Sequence, residues 1–169
     1  MNKTFPSLRS VVLDTMDARA LAEFYRLLLG YEYRAGDETP PPGEADPKGR
    51  EWLTLVDPEG KGRLAFQHVG HLPPSTWPAD GVPQQLHLDF SVSSRAELTA
   101  QDTRARSLGA RRLEDRFDDP DEPLDIYAVW RDTPFASSWQ LMADPIGTPA
   151  SFGGLPRPSS RWALANTPR

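Results

Sequence analysis

The stretch VPQQLHLDFSVSSRAEL, residues 82–98, decides the fold of this chain because it joins a strand directly to a capped helix. Apolar and polar residues alternate from Leu86 to Val92, which is the period of a strand with one apolar and one polar face. His87 and Asp89 are two residues apart, so their side chains point to the same, polar face. The first part of the stretch therefore predicts a half-buried strand.

The second part of the stretch has the signature of a helix start. Ser94 is followed three residues later by Glu97, the pattern of a capping box that stabilises a helix N-terminus by roughly 1 kcal/mol. Apolar residues then recur from Leu98 at near-helical spacing, and Gly109 is suited to the end of the helix. Strand, helix and glycine form one predicted unit.

A similar unit precedes it near the start of the chain. Val11 and Leu13 indicate a less regular strand, Asp17 is a candidate N-cap, and Gly30 ends the following helical pattern. The apolar positions of that helix fall at i, i+3, i+4 and i+7, namely Leu21, Phe24, Tyr25 and Leu28. Aligning the cap Asp17 with the cap Ser94 places Ser10 opposite His87 in the second unit.

Two further segments are similar to each other, WLTLVDPEG at residues 52–60 and WQLMADPIG at residues 139–147. Asp-Pro-x-Gly between apolar runs is typical of a tight turn, so each copy predicts a hairpin. We expect Trp52 and Trp139 to occupy equivalent strand positions in a core. Each half then has the order strand, helix, strand, hairpin, and duplication is the simplest explanation.

Composition restricts the function of the 169-residue chain. The absence of cysteine excludes a disulfide framework, a thiol nucleophile and zinc ligation through sulfur. The net charge of −5 argues against a general nucleic-acid binder. No apolar run approaches the roughly 18 residues of a membrane span, and the N-terminus lacks the apolar core of a secretion signal. We therefore expect a cytoplasmic protein that binds neither nucleic acid nor membrane.

One local basic stretch departs from the acidic balance, with five arginines between Arg104 and Arg116. These cations lie late in the second predicted helix and beyond it, where the helix dipole favours positive charge. They are interpreted as a solvated face, with the binding of an acidic ligand as the alternative.

The ordered set of LAEFYRLLLGYEY, HLDFSV and DPIG, with the repeated strand–helix order, resembles the vicinal oxygen chelate superfamily of glyoxalases, bleomycin-resistance proteins and extradiol dioxygenases. The stretch from the Trp-Pro loop into HLDFSV resembles its glyoxalase-like subgroup. The resemblance covers about residues 9–153. It implies an α+β fold of two βαβββ modules, which form a paired, curled mixed sheet around a cleft.

The resemblance and the proline-rich stretches together suggest four segments. These are a first module over residues 1–70, a Pro-rich linker over 71–84, a second module over 85–153 and a C-terminal tail over 154–169, expected to pack outside. Relatives form the cleft either within one chain or between two chains, and we expect a homodimer.

Metal-using relatives carry one ligand on the first and one on the last strand of each module. The resemblance assigns these places to Ser10, Gln67, His87 and Ser151. In the first module the register leaves Ala65 as the alternative to Gln67, which is preferred because its amide oxygen can ligate a metal. One imidazole, one amide and two hydroxyls suit iron, manganese, nickel or zinc poorly. We therefore expect no metal cofactor, and a divalent ion would need Asp14 or Asp89 as substitute ligands.

His87 and Asp89 are the candidate catalytic residues. An imidazole titrates near neutral pH, so His87 suits a general acid or base in the cleft. The alternative is a histidine that is hydrogen-bonded inside a small barrel. Trp77 and Trp130 lie in long loops and are candidates to close over a flat apolar ligand, or to pack outside the sheet.

Two functions follow from the resemblance. The first is a small-molecule binding protein without the usual divalent metal, using Ser10, Asp14, Gln67, Ser151 and the loop tryptophans as ligand contacts. The second is a glyoxalase-like lyase, isomerase or dioxygenase that acts on a small carbonyl or aromatic substrate. The candidate ligand set favours the binding protein.

Overall fold

The computed structural model describes residues 6–73, 81, 86–119, 124–129 and 137–143, the last two ranges by their backbone alone. The first half contains β1 (Val11–Thr15), α1 (Ala18–Leu29), β2 (Glu32–Tyr33), β3 (Trp52–Val56) and β4 (Arg63–His68). The second half contains β5 (Leu86–Val92), α2 (Arg95–Ser107), β6 (Ala110–Arg116), β7 (Leu124–Val129) and β8 (Ser137–Ala143).

The strands form two four-stranded sheets of the same topology, β1-β4-β3-β2 and β5-β8-β7-β6. In each sheet the first strand pairs in parallel with the last, and the remaining pairs are antiparallel. The predicted α+β fold of two βαβββ units is confirmed as a curled, open mixed sheet. The segment boundaries remain a prediction, because most of the 71–84 linker and the whole tail after residue 153 lie outside the described residues.

The predicted equivalence of Trp52 and Trp139 is wrong. Trp52 begins β3, which is one strand removed from β1, whereas Trp139 lies on β8, which pairs directly with β5. Nor does Trp52 belong to the core, because it is 36% exposed. The two Asp-Pro-x-Gly segments are therefore local similarities, and the two-unit architecture rests on the repeated topology.

Helix α1 forms as its pattern predicts. The Asp17 side chain accepts a hydrogen bond from the backbone N–H of Ala20 at 2.9 Å, which satisfies one free donor of the first turn. Gly30 ends the helix in the left-handed conformation, at φ 70°, where a side chain would be strained. The four residues at the predicted apolar positions are all buried: Leu21, Phe24, Tyr25 and Leu28.

Helix α2 begins at the predicted cap. Ser94 Oγ accepts from the Glu97 backbone N–H at 3.2 Å, and the Glu97 carboxylate accepts from the backbone N–H of Ser93 at 2.9 Å. This backbone hydrogen bond, followed by one from the Ser93 hydroxyl, lowers the pKa of Glu97. The capping box is confirmed, with its returning bond one residue earlier than the Ser94 amide.

The core lies between the first sheet and α1 and extends into the second half. Its strand residues alternate along β1, β3 and β4: Leu13, Leu53, Leu55, Leu64 and Phe66. Leu98, Ala105 and Ala110 belong to the same cluster of buried residues. An Arg104 guanidinium also donates to the Leu27 carbonyl at the end of α1. The two halves therefore share one hydrophobic core.

Neither described helix combines the length and the apolar character that crossing a bilayer requires.

Candidate functional site

The first sheet has a second face, opposite the core, which we call the open face. Because side chains alternate along a strand, the neighbours of the core residues must point away from α1. The exposed ones are Val12 and Asp14 on β1, Gln67 on β4 and Trp52 on β3, whereas Ala65 and Thr54 point the same way but are buried. This face carries polar and aromatic groups that do not take part in the packing of the core.

The strand register brings three of these residues into one row. Gln67 pairs with Asp14 of β1 on one side and with Trp52 of β3 on the other. A carboxylate, an amide and an indole therefore lie side by side across three strands. Among the described residues, neither the Asp14 nor the Gln67 side chain takes part in a hydrogen bond or ion pair. The row, Asp14–Gln67–Trp52, is accessible, and the side chains of Asp14 and Gln67 are not used by the described part of the fold.

Trp52 is oriented by its own strand. Its indole N–H donates to the Thr54 hydroxyl at 3.1 Å, and Thr54 is only 5% exposed. The Thr54 backbone N–H in turn donates to the Asp37 carboxylate at 3.0 Å. The prediction that Trp52 belongs to the core is therefore wrong. In the sequence, its alternation with Leu53 and Leu55 already indicates that the Trp52 side chain lies on the opposite face of the strand.

Asp37 is a fully buried carboxylate in the segment between β2 and β3. Besides the Thr54 amide, its carboxylate contacts Arg34 at 2.9 Å and Lys48 at 3.2 Å. Arg19 of α1 donates to the Asp37 carbonyl at 2.8 Å. No sequence signal distinguishes this aspartate from its acidic neighbours, because its burial comes entirely from contacts that the loop makes with distant elements.

His87 and Asp89 share the exposed face of β5, as their spacing predicts. The His87 Nε2 and Asp89 Oδ1 atoms are 3.8 Å apart, and the side chains are 46% and 55% exposed. This distance is too long for a hydrogen bond, so the pair attracts only when the imidazole is protonated. A half-exposed imidazole favours an accessible group over a histidine enclosed in a barrel, and its catalytic role stays a prediction.

The other candidate residues lie in different places. Ser10 immediately precedes β1, four residues from Asp14, or roughly 13 Å along an extended chain. The register therefore puts Asp14, and not Ser10, beside Gln67. Ala65, the alternative to Gln67, is 1% exposed and offers no ligand atom on its side chain. The remaining candidates lie outside the described residues: Trp77, Trp130 and Ser151.

The donors do not fit the divalent metal of metal-using relatives. Gln67 offers a neutral amide, His87 one imidazole, and Ser10 a hydroxyl that lies well away from Gln67 along the register. First-row divalent ions prefer several imidazole, carboxylate or thiolate ligands that converge on one point. In the described part of the chain, no three histidine, aspartate or glutamate side chains are grouped closely enough to hold an ion.

A broad groove of about 1060 Å³ lies elsewhere, on the outer side of α1. Both arginines of the groove are already engaged: Arg19 bonds Asp46 at 2.7 Å, and Arg26 bonds Glu23 at 2.7 Å. The hydrogen bond from Arg26 lowers the pKa of Glu23, and Tyr33 donates to the same carboxylate. The contacts with Asp46 and Tyr33 connect α1 to the following loop and strand, so these polar groups of the groove take part in the packing of the fold.

The basic stretch is also engaged within the chain. Arg106 contacts Asp102 at 3.5 Å, and Arg112 contacts Asp115 at 2.9 Å. Arg116 contacts Asp119 at 2.8 Å, and Arg104 donates to a carbonyl of α1. These contacts favour the interpretation as a solvated face over a site for an acidic ligand.

Solved structures with the same fold come from several bacteria. A glyoxalase/bleomycin resistance protein/dioxygenase from Nocardioides is 19% identical, with 90% of this chain and 93% of that chain covered at a TM-score of 0.55. A glyoxalase/dioxygenase from Nostoc punctiforme is 17% identical, with coverages of 86% and 99% and a TM-score of 0.57.

A mutant of the fosfomycin resistance protein FosX from Listeria monocytogenes was solved with Mn(II) and 1S,2S-dihydroxypropylphosphonic acid. It is 14% identical, with 83% of this chain and 93% of that chain covered at a TM-score of 0.57. At these identities the likenesses establish the fold alone. Among curated proteins there is no match.

The sequence itself identifies the family more directly. The model of the glyoxalase-like domain matches residues 10–152, which spans both βαβββ units and every described strand. The match is consistent with the topology of the two sheets and with the structural neighbours. This chain therefore belongs to the glyoxalase-like domain family of the vicinal oxygen chelate superfamily.

Proposed function

We propose that this protein binds a small organic molecule on the open face of its first sheet, without a divalent metal. The observation that carries the proposal is the row Asp14–Gln67–Trp52, in which three adjacent strands present an exposed carboxylate, an exposed amide and the accessible ring of an indole. Small-molecule sites combine an apolar or aromatic surface with a few well-placed polar groups. This row supplies both within one patch.

The proposed site has no metal because the side chains available to it are poor ligands for a divalent ion. An amide and a single imidazole provide hydrogen bonds and orientation for an organic ligand, but little affinity for a first-row divalent ion. Asp14 is the carboxylate that the strand register places beside Gln67, and it accepts hydrogen bonds without help from an ion.

The experiment is a screen of small aromatic and carbonyl compounds by ligand-detected NMR, using protein treated with EDTA. We expect bound compounds to be lost on Trp52→Leu and on Gln67→Ala. The matched control is Leu27→Ala, because Leu27 is 37% exposed against 36% for Trp52 and lines the outer groove. Added Mn²⁺ or Ni²⁺ should leave the affinities unchanged.

Two results would contradict the proposal. Loss of binding on Leu27→Ala, with Trp52→Leu unaffected, would move the site to the outer groove. Binding that occurs only after a divalent ion is added would favour the metal-dependent chemistry of some relatives.

The accessible imidazole supports a second candidate, a metal-independent lyase or isomerase in which His87 acts as general acid or base. Its half-exposed ring is available to a substrate proton, and the Asp89 carboxylate lies 3.8 Å from it. Turnover of a bound carbonyl compound that disappears on His87→Ala, while its binding persists, would establish this activity. Binding of the compound without turnover would support a binding protein and contradict an enzyme.

A further inference from the structure

We infer that the ligand class of the open face is a planar aromatic compound that carries a cationic nitrogen, such as an arylalkylamine. This inference rests on the proposed function and adds the chemistry that the row Asp14–Gln67–Trp52 selects.

The indole of Trp52 offers only its ring to a ligand. Its single polar hydrogen is already donated to the Thr54 hydroxyl at 3.1 Å. An indole has no other donor and no acceptor for a hydrogen bond. Trp52 therefore recognises a flat ring or a cation by contact with its π surface and does not hydrogen-bond a polar group.

At the other end of the row, Asp14 offers only acceptors. An ionised carboxylate cannot donate a hydrogen bond, and the Asp14 carboxylate has no arginine or lysine partner among the described residues. A ligand ammonium group would supply both the donors and the opposite charge. A ligand carboxylate or phosphate at this position would be repelled.

Gln67 lies between these two groups, and the sheet sets their separation. Neighbouring strands are roughly 4.8 Å apart, so the backbones of Asp14 and Trp52, one strand either side of β4, are separated by roughly 10 Å. A ring over the indole and an amine on a two- or three-carbon chain fit this span. The Gln67 amide donates and accepts, so it tolerates varied substituents between them.

Two basic residues belong to the same face: Arg34, which is paired with Asp37, and Arg63, which lies at a distance from the row. Arg63 begins β4, four residues before Gln67 and roughly 13 Å away along the strand. Its removal changes the net charge of the open face as much as removal of Asp14 does, with the opposite sign. Arg63 therefore provides a matched control for the position of the charge.

The test compares three probes with the same ring at pH 7 by isothermal titration calorimetry: tryptamine, indole-3-propionamide and indole-3-propionate. We expect the amine to bind roughly tenfold more tightly than the carboxylate, with the amide between them. Asp14→Asn should bring the amine to within about twofold of the amide, whereas Arg63→Gln should leave the preference for the amine in place. Trp52→Leu should weaken all three probes by about three- to tenfold.

The outcomes separate the two proposals. Tighter binding of the carboxylate, still lost on Trp52→Leu, would overturn the ligand class and leave small-molecule binding on the open face intact. A preference for the amine that survives Asp14→Asn would also overturn the assignment, because another acid would then hold the ammonium group. Failure of all three probes would overturn the ligand class, and failure of the wider screen as well would overturn the proposed function. A melting curve of each variant identifies any that is misfolded.

Discussion

Phe66 and Gln67 are neighbours on β4, yet they lie on opposite faces of the first sheet and in different environments. Phe66 is fully buried against α1, with its ring 5.8 Å from that of Tyr25, whereas Gln67 is exposed between Asp14 and Trp52. The core face is mostly leucine and phenylalanine, with the buried Thr15 at the end of β1. The open face holds a carboxylate, an amide and an indole.

The difference shows that neighbouring residues of one strand can contribute either to the stability of the core or to an accessible surface. A side chain on the core face removes apolar area from water, at about 25 cal/mol per Å². A side chain such as Gln67 contributes little to folding and is therefore available for binding. Substitutions at adjacent positions should have very different consequences.

The largest expected contrast is between Phe66→Ala and Gln67→Ala. The first removes a fully buried ring and should lower the free energy of unfolding by about 3–5 kcal/mol. The second removes an exposed amide and should change it by less than about 0.5 kcal/mol. Urea unfolding followed by circular dichroism measures both. Similar losses for the two variants would break the comparison, because they would mean that the open face is also packed.

A smaller effect is expected at Asp37, the buried carboxylate that hydrogen-bonds the β3 backbone. Asp37→Ala leaves the Thr54 amide and two cations without their acceptor, and should cost about 2–3 kcal/mol. The loss is below that of a fully buried ion pair because Arg34 and Lys48 are half exposed and regain water. The exposed Asp14→Ala is the control and should be nearly neutral. If both aspartates were equally dispensable, the loop would not support β3 in the way described.

The smallest effect concerns the ion pair between Arg19 and Asp46, which attaches the same loop to α1. The hydrogen bond from Arg19 lowers the pKa of Asp46 from its ordinary value of 3.8, so the folded state holds this carboxylate ionised more strongly than the unfolded state does. The stability it provides is present above about pH 4 and is lost as pH falls through the lowered pKa. Wild type should therefore exceed Asp46→Asn by less than about 1 kcal/mol at pH 7, and this difference should shrink as pH falls below about 4 and through the lowered pKa.

Urea unfolding at several pH values measures this difference. Glu59→Gln is the control, since the pair it forms with Lys61 is largely exposed and should contribute little at any pH. A constant gap between wild type and Asp46→Asn down to pH 3 would exclude the ionic explanation.

Local signals were sufficient for several parts of the fold and of the candidate site. Asp17 and Ser94 cap the two helices as predicted, because a cap depends on residues within one turn. His87 and Asp89 share a face because strand parity needs no tertiary information. The family resemblance supplied the two βαβββ units, which the topology and the family match confirm.

Pairing between distant strands was not predictable in the same way. The two Trp-x4-Asp-Pro-x-Gly segments are similar in sequence, but β3 and β8 occupy different places in their sheets, because strand order depends on which edges meet after folding. The register that places Asp14, and not Ser10, beside Gln67 is likewise a relation between separate strands. Asp37 in its loop had no local signal for burial.

The sequence by itself determined the helices, their caps, the alternating strands and the likeness to a superfamily, since each depends on periodicity or on neighbours in the chain. Only the tertiary structure decided that Trp52 faces away from the core, that Asp14, Gln67 and Trp52 form one row, and that Asp37 is buried beneath β3. The physical reason is that strand pairing and burial are contacts between distant segments. Their energies depend on the whole assembled sheet and not on any single stretch of the chain.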